Sequence, residues 1–122
     1  MDNRALNSVT TLRWLLQAGL GIVLVIFLAI HLIVNHWVAP QGLLTYTDVV
    51  RYYDVAGIAW MESVFLIVVT GHCLLGLQSI VLDLNLKPEI TRIITRFLLL
   101  VGVITITYGI WLIRIIVALS VA

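Results

Sequence analysis

Apolar residues run almost unbroken through three stretches, from about Leu12 to Val38, Gly57 to Leu82 and Ile90 to Leu119. At 1.5 Å per residue, a helix over any of them crosses about 30 Å of hydrocarbon. The pattern predicts three transmembrane helices and an all-α membrane protein. Between the first two spans lies APQGLLTYTDVVRYYD, with Pro40, Gly42 and three tyrosines. Tyrosine suits a membrane–water interface, which satisfies both its apolar ring and its hydroxyl. Between the second and third spans lies DLNLKPE. Pro88 there cannot continue a helix interior but suits the first turn of the third helix.

Composition strengthens this picture. Hydrophobic residues make up 62% of the 122-residue chain and charged residues only 11%. A water-soluble domain of this size could not enclose so much apolar surface. The net charge of +1 gives no electrostatic case for nucleic acid. A single cysteine, Cys73, rules out an internal disulfide and a C-x-x-C metal site.

Basic residues set the expected orientation. Arg4, Arg13, Lys87, Arg92 and Arg96 fall on the side of the N-terminus and the second loop, and Arg51 and Arg114 on the other. The excess places the N-terminus inside. The first span is too long for a signal-peptide core, and no A-x-A-like site precedes the first loop, so it reads as a retained helix. No repeat or soluble segment interrupts what reads as one membrane domain over 1–122.

Two histidines stand out inside the apolar spans. His72 shares a helical face, within about 60°, with Gly76, Ser79 and Asp83. Lipid cannot satisfy such a stripe, so it must face protein, cofactor or water. Gly76 leaves room for a flat macrocycle or another helix. Imidazole suits iron, and haem is the expected cofactor. A ligating imidazole needs an acceptor for its other ring nitrogen, and the Val68 carbonyl one turn back is a candidate for His72. The plainer reading of the stripe is close helix packing. His31 lies on a face with Arg13, Gln17, Leu24 and Leu28. Counting from Arg13 and from Asp83, His31 and His72 differ in depth by about 10 Å. One iron cannot take both, so any opposing axial ligand must come from a partner helix. His36, five residues beyond His31, reads as interfacial.

The string H-C-L-L-G-L-Q-S-I-V-L-D over His72–Asp83, followed by Lys87-Pro88, resembles the second helix of the small membrane anchors of succinate dehydrogenase, respiratory complex II. Leu44-Thr45-Tyr46 is similar to the first loop of the D-type anchor, and Arg13 to an arginine near the start of its first helix. The resemblance implies a prokaryotic inner-membrane subunit that packs with a second anchor subunit. Together they would hold the flavoprotein and iron–sulfur subunits and pass electrons to quinone. It implies His72 as an axial ligand of haem b, with Gly76 and Ser79 on the same cofactor-facing stripe. Asp83 would lie by the quinone pocket, and Arg13 would meet a haem propionate or that pocket. Leu84 stands where the family often has a quinone-binding tyrosine. Two-haem members carry histidines on both helices, which makes His31 a candidate ligand of a second haem. Two other readings stay open: an anchor cytochrome b of a quinol:fumarate reductase, and a non-haem membrane scaffold or transport subunit.

Overall fold

A computed structural model describes residues 3–43 and 45–120, with side chains from Thr11 onward. Leu44, part of the loop resemblance, lies outside the described residues, as does the Arg4 side chain. The chain forms four helices: α1 (Asn3–Val38), α2 (Tyr46–Asp54), α3 (Ile58–Asp83) and α4 (Pro88–Ser120). Over Thr11–Val38, Ile58–Asp83 and Pro88–Ser120 the chain is long and apolar enough to cross a membrane. These bounds lie within two residues of those read from hydropathy. α4 begins on Pro88, where a missing backbone N–H leaves no intrahelical bond unmade.

A fourth helix, α2, lies in the stretch between the first two spans. α2 is short and amphipathic, and its start is fixed by a reciprocal cap. The Asp48 N–H donates to Thr45 Oγ1 at 3.2 Å, and the Thr45 N–H donates to Asp48 Oδ2 at 2.8 Å. Such a cap satisfies backbone donors that a helix start otherwise leaves bare. Gly57, at φ 91°, turns the chain straight into α3; a side chain there would be strained.

α3 is the central element. It packs on α1 along one side and on α4 along the other, and α2 sits across α4 and α3. Among the described residues only Tyr52, Ile58 and Gly102 are buried. More than half of the large apolar side chains are exposed, as a surface set in lipid requires.

The α3–α4 seam depends on two glycines seven residues apart. A Cβ at Gly102 would push aside the tip of the Leu74 side chain, and one at Gly109 that of Leu66. With little hydrophobic drive between helices inside lipid, such close approach is what holds a seam together. Gly102→Val is expected to lower stability by about 1–3 kcal/mol through overpacking, read as earlier thermal unfolding in detergent. Gly19→Val is the control, since nothing lies within 4 Å of its added Cβ. Equal unfolding of the two variants would refute the tight seam.

Candidate functional site

The α1–α3 seam is antiparallel with a constant register. Gln17 faces Gly76, Gly21 faces His72, and His31 faces Glu62. Moving ten residues along α1, from Gly21 to His31, moves ten residues back along α3, from His72 to Glu62. The two imidazoles therefore lie about 15 Å apart along the bundle. This exceeds the sequence-based figure and keeps them from sharing one iron.

His72 is half-buried with its ring edge against Gly21. A Cβ on Gly21 would lie 3.2 Å from Cε1 and 3.6 Å from Nδ1. Nδ1 is enclosed and has no hydrogen-bond partner. The expected bond to the Val68 carbonyl is therefore not made. Gly76 does not stand open for a macrocycle either. The Gln17 amide fills its gap, with Nε2 3.0 Å from where a Cβ would sit. Gln17 Oε1 is likewise enclosed without a partner. Two unmatched polar groups thus occupy one seam, a helical turn apart. Leaving such a group unpaired costs about 1–3 kcal/mol.

Past Gln17 the seam opens. Arg13 and Trp14 on α1, and Ser79 and Ile80 on α3, are all exposed. The Ser79 hydroxyl donates to the Leu75 carbonyl at 3.0 Å, so its own helix satisfies it. Asp83 ends α3 and is exposed. Of the predicted stripe, His72 and Gly76 face α1, while Ser79 and Asp83 lie outside the closed seam. Arg13 and Asp83 share one end of the bundle, and among the described residues no ion pair joins them.

The other end holds a cluster that the sequence reading missed. His31 Nδ1 donates to Glu62 Oε1 at 2.9 Å. The Tyr52 hydroxyl donates to the same oxygen at 2.7 Å. Asn35 Nδ2 donates to His31 Nε2 at 2.8 Å. A carboxylate only accepts, so the proton of the neutral ring is assigned to Nδ1 and leaves Nε2 as the acceptor. Phe65 stacks on the imidazole, with centroids 5.2 Å apart and planes 14° from parallel. Burial pushes the Tyr52 phenol far above its ordinary value, and its bond to Glu62 adds to the rise. Tyr52 therefore stays protonated and acts as a donor. A cavity of about 460 Å³ adjoins the cluster, lined by His31, Asn35, Tyr52, Tyr53, Glu62 and apolar residues.

Glu62 was readable in part as the one acid inside an otherwise apolar span, which by itself argues for a partner. The partner's identity was not readable, because His31 lies 31 residues earlier. His36 is exposed, as expected of an interfacial residue.

Comparison with known protein families, with characterised proteins and with solved structures gives no match.

Proposed function

We propose that this chain is a small membrane-anchor subunit of a prokaryotic succinate:quinone oxidoreductase, with one ligand for each of two haems b. The observation that carries the reading is His72, an imidazole in mid-span whose Nε2 is not enclosed and makes no hydrogen bond within the chain. An imidazole in mid-span calls for a partner, and this chain gives neither ring nitrogen one; iron at Nε2 would supply one, while Nδ1 would lack the acceptor that a ligating histidine usually has. Of its ring nitrogens only Nδ1 is enclosed. That arrangement suits iron at Nε2 on the partner-facing side.

His31 fits the same role at the other depth. Its Nδ1–H is held by a carboxylate, the arrangement that orients metal-bound histidines. Its Nε2 is capped only by Asn35, whose Oδ1 is itself enclosed without a partner. Moving that amide aside therefore gives up one bond from a poorly satisfied group.

Haem b, when bound, supplies reversible one-electron transfer. The chain's own residues hold and insulate it. His72 and His31 lie about 15 Å apart along the bundle, so each would hold a haem at its own depth. Gly21 lets α1 close against the His72 ring. No other histidine of this chain lies beside either ring, so a second ligand to each iron would have to come from a partner subunit. At the opened end, the exposed Arg13 and Asp83 would border a quinone held beside an iron–sulfur subunit. Arg13 offers donors to a quinone oxygen, and Asp83 is an exposed carboxylate that can exchange protons with water.

The test is an optical spectrum and a pyridine haemochrome count on the complex purified through this chain. Two haems b per chain are expected. The absence of a Soret band would overturn the reading and favour a haem-free scaffold.

A further inference from the structure

We infer that Glu62 is a positioning residue for His31 as an iron ligand, and that Tyr52 sets how strongly it acts. The inference rests on the two-haem reading. It adds residues that neither the histidine pattern nor the family resemblance points to.

Three observations meet at one oxygen. Glu62 Oε1 accepts from His31 Nδ1 at 2.9 Å and from Tyr52 at 2.7 Å. The Glu62 side chain is 13% exposed and that of His31 26%, so water screens the pair only partly. Phe65, one turn along α3 from Glu62, stacks on the imidazole and limits rotation of the ring about its own axis. The carboxylate and the aromatic face together fix the tautomer and the plane of His31. Nε2 is then the one nitrogen able to bind iron, once the Asn35 amide that donates to it at 2.8 Å moves aside.

The electronic consequence has a definite sign. A carboxylate that accepts from Nδ1–H makes the imidazole a stronger electron donor to the metal. A stronger donor stabilises the oxidised iron and lowers its potential. The Tyr52 bond works against this, because it draws electron density from the same carboxylate oxygen. α2 thus reaches from outside the membrane span to a ligand inside it. Burial keeps Tyr52 protonated, so the moderating bond persists across the working pH range.

The experiment is a spectroscopic redox titration of both haems in the whole complex, with low-spin electron paramagnetic resonance of the oxidised form. Glu62→Gln keeps an acceptor of similar shape but removes the charge. It should retain two haems, raise the potential of one and leave the other unchanged. Tyr52→Phe frees the carboxylate and should move the same haem the opposite way. A purely structural Glu62 would predict loss of haem or stability, with no opposed shifts. Unchanged potentials in both variants, or equal shifts of both haems, would overturn the inference while leaving the haem reading intact. Should Glu62→Gln fail to assemble, the sign of the Tyr52→Phe shift alone decides. A wild-type complex with no haem, or with one haem insensitive to His31→Leu, would overturn the two-haem reading and this inference with it.

Discussion

His72→Ala should strip one haem from the purified complex and leave the other, halving the pyridine haemochrome count. Alanine offers iron no nitrogen, and within this chain nothing replaces it. The nearest polar side chain in the seam is Gln17, whose amide is a poor ligand for haem iron and already fills the gap at Gly76. The fold should tolerate the change. The ring makes no hydrogen bond that its loss would orphan, and it is only half-buried. Removing an unpaired Nδ1 even relieves a cost of about 1–3 kcal/mol, which offsets part of the lost packing against Gly21. Haem loss should therefore occur in a complex that still assembles, as judged by size-exclusion chromatography and subunit content. An unchanged haem spectrum would remove the main support for the proposed function.

His31→Leu should have a double effect. The second haem is lost, and the His31–Glu62 end of the bundle weakens. Leucine leaves the Glu62 carboxylate with Tyr52 as its one donor, in a setting where a largely enclosed charge needs partners. The cost is about 1–3 kcal/mol, and it falls on the contact that ties α2 to α3. Faster proteolysis or hydrogen exchange over Tyr46–Asp54 should report it, while His72 keeps its haem. His31→Leu combined with Glu62→Leu and Tyr52→Phe removes the ion pair together with the buried hydroxyl that Glu62 accepts from, and should recover much of the lost stability without recovering the haem. That contrast separates ligation from packing. If the single variant kept both haems, His31 would be a packing residue and nothing more.

The sequence alone determined the three spans and their approximate ends. Inside hydrocarbon every backbone N–H and C=O must be paired within the segment, so a long apolar run is a helix with few alternatives. Pro88 marked a helix start for an equally local reason. α2 was local too: Thr45 three residues before Asp48 is a capping pattern present in the sequence. It was missed because the tyrosines there were read as interface anchors.

Only the tertiary structure decided which residues meet. Hydropathy carries no register, since sliding α3 by a turn against α1 leaves every span equally apolar. The register that brings Glu62 to His31 also sets Gln17 on Gly76 and the His72 ring on Gly21. It divided the predicted polar stripe in two, because helical periodicity gives the direction of a side chain but not whether a neighbour is there to receive it. The chemistry read at His72 came from residue type and depth. The chemistry found at Glu62 came from a contact between distant parts of the chain, which a one-dimensional pattern does not encode.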